Sequence, residues 1–134
     1  MAFATDMSAA ARRHLEAGDS LAKGRKRRDV AGYLYGIAAE CAIKAMMLEL
    51  GMRPVADRRT ADDPFFAHFP ELRSMLRDAL SRRRGSTLVR LIQDDRFLNN
   101  WSTRMRYSHG RDIEGRWVKA WAEQARQAVG SIGT

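Results

Sequence analysis

Apolar residues recur at three- and four-residue intervals through most of this chain, and no run of β-branched and aromatic residues alternates with polar ones over four or more positions. Val30, Leu34, Ile37, Cys41, Ala45 and Leu48 follow one another at spacings of four, three, four, four and three. That is the period of one face of an α-helix. Tyr33, Ala38, Ala42 and Met46 widen the stripe, so the predicted helix is buried over most of its circumference. Asp29 reads as its cap and Gly51, with Pro54 beyond, as its stop.

The same period predicts the neighbouring elements. A first helix starts at Thr5 or Asp6, runs to about Gly24 and carries Met7, Ala11, Leu15 and Leu21 on one face. After a loop broken at Pro54 and Pro64, Pro70 suits the first turn of a helix with Leu72, Met75, Leu76, Ala79 and Leu80 inward. A shorter block, "STLVRLIQDDRFL", uses Leu88, Leu91 and Ile92, and Asn99 and Asn100 break it. The last helix starts at Asp112 or a neighbour and follows Ile113, Trp117, Ala120, Trp121, Gln124 and Ala128, with Trp117 and Trp121 as a core ridge. "GSIGT", residues 130–134, frays from its end. The expectation is one all-α domain over residues 1–134, an antiparallel bundle of four to five helices.

Charge changes this picture more than composition does. Lys and Arg outnumber Asp and Glu by 24 to 16, giving a net charge of +8 and a pI near 10.5. A field of that sign draws in anions, of which RNA and DNA are the commonest large ones. The sharpest run, "KGRKRRD", holds Lys23, Arg25, Lys26, Arg27 and Arg28, and is either a solvated connection or a nucleic-acid contact. Arg82, Arg83 and Arg84 load a helix's C-terminal end, where its dipole favours cations. The window "VAGYLYGIAAECAIKAMMLEL" approaches membrane-spanning length, but Glu40, Lys44 and Glu49 interrupt it, so it reads as a central helix with no membrane association. No signal peptide is recognisable, and the cytoplasm is the expected compartment. Cys41 alone cannot form an internal disulfide, and it reads as a small buried hydrophobe. His14, His68 and His109 are too dispersed for a metal site, and no cofactor is implied. His68, among Phe65, Phe66 and Phe69, reads as a packed or capping residue.

The stretch "NNWSTRMRYSHGRD", Asn99 to Asp112, concentrates the candidate chemistry. No phosphate loop, dinucleotide turn or paired metal ligand accompanies it, so any chemistry there is metal-free. Arg104 and His109 suit cleavage of an RNA phosphodiester: the imidazole can exchange a proton with the 2′-hydroxyl or the leaving oxygen, and the guanidinium can hold a phosphate oxygen. Tyr107 or Ser108 could assist by hydrogen bonding. Five positions apart, Arg104 and His109 do not share a helical face, so they converge only if the helix loosens near Gly110 or two subunits each supply part of the site. Glu40 and Lys44, four apart in the apolar helix, either pair with each other or line a polar site together with Arg106, Tyr107 and Ser108. Alternatively the strip is only a basic lip, with Arg106 bonded to Glu40 or another acid and Tyr107 packed beneath Trp101.

"YLYGIAAECAIKAMM", "HFPELRSML" and "WSTRMRYSHG" ahead of a final helix together resemble the HEPN family, over about Asp29 to Ala128. The resemblance implies a helical bundle that usually forms a homodimer. It also implies, for many members, a metal-independent endoribonuclease whose Arg-x4–6-His motifs meet at the dimer interface. Such members often act as toxins beside a nucleotidyltransferase antitoxin, or in defence against phage. Carried onto this chain, the motif is Arg104 and His109. Met105 departs from the polar residue usual after the Arg in active members. Trp101, Arg106 and Tyr107 equally match a form of the family that has Arg-Tyr without the His. Two functions are therefore expected side by side: a homodimeric endoribonuclease acting on RNA, and a non-catalytic module that binds a nucleotide, RNA or a nucleotidyltransferase partner.

Overall fold

The computed structural model describes residues 5–24, 26–55, 62–83 and 85–134. Five α-helices carry the fold: α1 Met7–Gly24, α2 Arg28–Glu49, α3 Glu71–Ala79, α4 Thr87–Gln93 and α5 Gly115–Gly130. Three short 3-10 turns join them, at Pro64–Phe66, Thr103–Tyr107 and Gly110–Asp112, and no strand occurs among the described residues. No helix there is long and apolar enough to cross a membrane.

The ends of α1 and α2 show which local signals decide where a helix begins. Asp6 caps α1 as expected, its Oδ1 accepting the Ala9 N–H at 3.0 Å. α2 begins two residues earlier than expected, with Arg27 and not Asp29 at its cap position. Asp29 lies in the first turn instead, where the helix dipole favours a carboxylate, and it pairs with Arg27 at 3.4 Å. Gly51, at φ +90°, makes the left-handed stop after α2.

α2 is the axis of the bundle, but its core face is not the stripe of large side chains. Ala31, Tyr35, Ala38, Ala39, Ala42, Ile43, Met46 and Met47 are buried, whereas Val30 is 39% exposed and Leu34, Ile37, Cys41 and Leu48 are half-buried. Where α5 crosses, a small residue is needed because the two helices approach closely. An added Cβ at Gly32 would stand 3.0 Å from both Val118 and Trp121 of α5. α1 folds back along α2 through the short link 25–27, antiparallel as expected. α5 differs: it enters beside Gly32 and ends where the Gly133 N–H donates to Glu49 at 2.8 Å, so it runs parallel to α2. Residues 131–134, expected to fray, turn back at that point, and Ile132 packs against the core.

The return path from the bottom of α2 to the top of α5 is made by α3, α4 and the segment that follows. Leu72, Leu76 and Leu80 point inward from α3, while Ala79 is exposed. α3 ends at Ala79, so Arg82 and Arg83 lie beyond its last turn; Arg84 falls outside the described residues, as does Arg25 of the first basic run. Trp117 and Trp121 form the expected ridge, with ring centroids 6.1 Å apart.

One polar network ties the three long helices together. The buried Tyr35 hydroxyl donates to Asp19 of α1 at 2.7 Å, and Arg126 of α5 donates to the same carboxylate oxygen at 2.8 Å. The Tyr35 phenol is pushed up to about 12, first by burial and then by the Asp19 hydrogen bond. The fold therefore holds this proton more tightly than the unfolded chain does. The resulting stability is intact below the ordinary tyrosine value near 10 and is lost as pH rises towards 12. Tyr35→Phe is expected to flatten the alkaline fall in melting temperature across that window, and in the wild type one of the three tyrosines should titrate late by tyrosinate absorbance.

Candidate functional site

The strip that carries the candidate residues is not a helix. Leu98 at φ 54° and Asn100 at φ 70° turn the chain sharply before it. A left-handed leucine is strained, and the surroundings hold it. The Leu98 N–H donates to Gln124 Oε1 at 2.9 Å, and Gln124 Nε2 donates back to the Arg96 carbonyl at 2.8 Å. From α3, Arg73 donates to the carbonyls of Asp94 and Phe97, and Arg77 Nε to that of Ile92. Burial pushes the Arg73 guanidinium pKa below its ordinary value. These two arginines satisfy carbonyls that a continuing α4 would have paired internally.

Trp101 anchors the strip to α2. It is 1% exposed, its Nε1 donates to the Gly32 carbonyl at 3.1 Å, and its ring lies over Gly36. Beyond it, Ser102 Oγ accepts the Arg104 N–H at 3.2 Å and starts the turn Thr103–Tyr107. Met105 tucks against the core. Alternate side chains of this tight turn then point different ways. Arg104 lines an open groove of about 690 Å³ with Arg73, Asn99 and Ser102. Arg106 and Ser108 line a second groove of about 220 Å³ with Asp29, Val30 and Tyr33.

Arg106 occupies the centre of a layered stack. Its guanidinium lies 5.9 Å from the Tyr33 ring and 5.3 Å from the Tyr107 ring, and Tyr33 in turn stacks on Trp101 at 5.9 Å and 15°. Arg106 Nε donates to the Thr103 carbonyl at 3.0 Å, and no acid pairs with Arg106 among the described residues. Tyr107 caps the stack at 83% exposure. The ring beneath Trp101 is thus Tyr33, not Tyr107. Tyr33 was legible only as part of a helix stripe, because its partners lie about seventy residues away in sequence.

His109 is exposed but engaged. Its Nδ1 accepts the Arg111 N–H at 3.1 Å and thereby caps the turn Gly110–Asp112. A neutral ring accepting at Nδ1 carries its proton on Nε2. Nε2–H is then free to donate, whereas the ring can accept a proton only at Nδ1, where the cap occupies the lone pair. Ser108 Oγ is also occupied, donating to the Met105 carbonyl at 3.0 Å.

Glu40 and Lys44 are buried, at 2% and 7% exposure, and line neither groove at the strip. Glu40 is a structural acceptor: Oε1 takes the Phe69 N–H at 2.6 Å and Oε2 meets His68 Nδ1 at 2.8 Å. His68 therefore does more than pack, since it helps join α2 to the start of α3. No group of three or more His, Cys, Asp or Glu that could hold a metal ion occurs among the described residues. No protein-family model, curated protein or solved structure gives a significant match to this chain.

Proposed function

We propose that the protein is a HEPN-like helical module that binds single-stranded RNA at the Tyr33–Arg106–Tyr107 stack. The observation that carries this reading is the layered Arg106, held between two rings and in no ion pair among the described residues. Stacking removes the rotational freedom a surface arginine normally loses on binding a phosphate, and a planar guanidinium suits bidentate contact. The outer face of Tyr107 offers a platform on which a base stacks, worth about 1–3 kcal/mol and indifferent to sequence. The net charge of +8 supplies long-range attraction.

Anisotropy of a labelled oligouridine tests it. Arg106→Ala and Tyr107→Ala are each expected to weaken binding by about tenfold, in line with the loss of one charge-assisted or stacking contact. Arg106→Ala should also make the salt dependence shallower by about one phosphate contact. Binding that is unchanged in both variants would sink the reading.

A homodimeric, metal-independent endoribonuclease using Arg104 and His109 is the second reading. It is favoured by the half-exposed apolar row Val30, Leu34, Ile37 and Cys41 on α2, whose Val30 end adjoins the strip and where a second copy could pack. As a base, His109 has to leave its capping bond; as an acid it can donate from Nε2 with the cap in place. Cleavage of an RNA pool in EDTA by wild type but not by His109→Ala would establish it, and an intact pool beside a folded wild type would remove it.

A further inference from the structure

A basic groove lies on the other side of the first turn of α2. Arg28, Arg116, Lys119 and Arg126 line it around a floor of Tyr35, Val118 and Ala122, in a volume of about 510 Å³ with no carboxylate in that lining. It continues past Lys23 and Asp19 at the end of α1. Asp19 adds little negative field there, because the Tyr35 hydroxyl and Arg126 both bond to it. Arg116 is paired with Glu114 at 3.0 Å, whereas neither Arg28 nor Lys119 has an acidic partner among the described residues. Concave basic walls over an apolar floor focus the field on whatever anion enters.

This groove and the groove at the strip are neighbours. Arg28 and Tyr35 line one while Asp29, Val30 and Tyr33 line the other, and Gly115 and Ile113 face them in that order. The saddle between them holds Asp29, a carboxylate that would repel a passing phosphate. Arg27 covers that charge at 3.4 Å. The first turn of α2 therefore separates the Arg28–Lys119 groove from the groove that holds Arg106, with Asp29 between them paired to Arg27.

We infer that an RNA strand held at the Tyr107 end of the stack continues over this turn into the Arg28–Lys119 groove, which binds its backbone phosphates without reading bases. This rests on the RNA-binding reading of the strip and adds a second contact region to it. Backbone tracking fits the lining, which offers cations over an apolar floor.

The test uses the full-length chain and two labelled oligouridines, one of about three and one of about eight nucleotides, a span on the order of one single-strand site. Wild type is expected to bind the longer strand about tenfold more tightly. Lys119→Glu and Arg28→Glu, both at exposed positions, are expected to abolish that advantage while leaving the short strand's affinity at the strip unchanged; circular dichroism confirms their folds. Arg106→Ala should weaken both strands. A length advantage that survives in both charge-reversal variants overturns the inference and leaves the strip reading standing. If the wild type binds neither strand, the strip reading fails and this inference fails with it.

Discussion

Gly36→Ala is expected to unseat Trp101 and cost about 3–5 kcal/mol, the range for losing a buried tryptophan from a core. A Cβ at this position would stand 1.9 Å from two atoms of the indole, against backbone on one side and a closed core on the other. The indole cannot yield by a few tenths of an ångström, because its Nε1 is fixed on the Gly32 carbonyl and its face on Tyr33. Overpacking of a rigid pair is relieved only by moving one member out. The expected signature is a fall in denaturation midpoint together with a red-shifted tryptophan emission. On the proposed reading, loss of RNA binding should follow, since Arg106 leans on the same Tyr33. Gly130→Ala is the control: nothing lies within 4 Å of its added Cβ, so it should be neutral or slightly stabilising. A Gly36→Ala protein as stable as the wild type would show that the indole does not lie on α2.

Glu40→Leu should be nearly as damaging, at about 3 kcal/mol, because it strands a buried donor. The Phe69 N–H lies among side chains that exclude water and has the Glu40 carboxylate as its partner. His68 Nδ1 loses its contact at the same time. Glu40→Gln keeps a carbonyl oxygen for Phe69 and should cost about 1 kcal/mol, the scale of one ordinary hydrogen bond in place of a charged one. Urea midpoints of the three proteins provide the comparison. RNA affinity per folded molecule should not change in Glu40→Gln, which separates a carboxylate that joins α2 to α3 from one that touches ligand. Equal stability of wild type and Glu40→Leu would refute the joining role.

Local signals were legible in the sequence and distant ones were not. The Asp6 cap, the Gly51 stop and the Trp117–Trp121 ridge each depend on residues a few positions apart, and each stands where the periodicity put it. Of the predicted α2 stripe, Ala38, Ala42, Ala45 and Met46 are buried and Tyr33, Ile37, Cys41 and Leu48 pack against the core, while Val30 is exposed. The close approach of α5 selects Gly32, and leaves Leu34 and Ile37 on the flank. α5 begins at Gly115, three residues later than Asp112, because His109 caps a separate turn at Gly110–Asp112. Arg73 and Arg77 gave no sign of their role, since their partners are carbonyls, which every residue has. At the strip, Arg106 and Tyr107 stood out by composition. What orders them, Tyr33 and Trp101, could be recognised only once the chain was folded.

Asp63 has a consequence for engineering. One of its oxygens accepts the Val55 N–H at 2.9 Å and the other the Phe65 N–H at 3.0 Å, so a single buried carboxylate fixes where the chain departs after α2 and where it comes back. Losing that carboxylate would strand both N–H donors at once and free the start of α3 from the end of α2, so Asp63, far from either groove in sequence, is a position that engineering of this molecule has to leave intact.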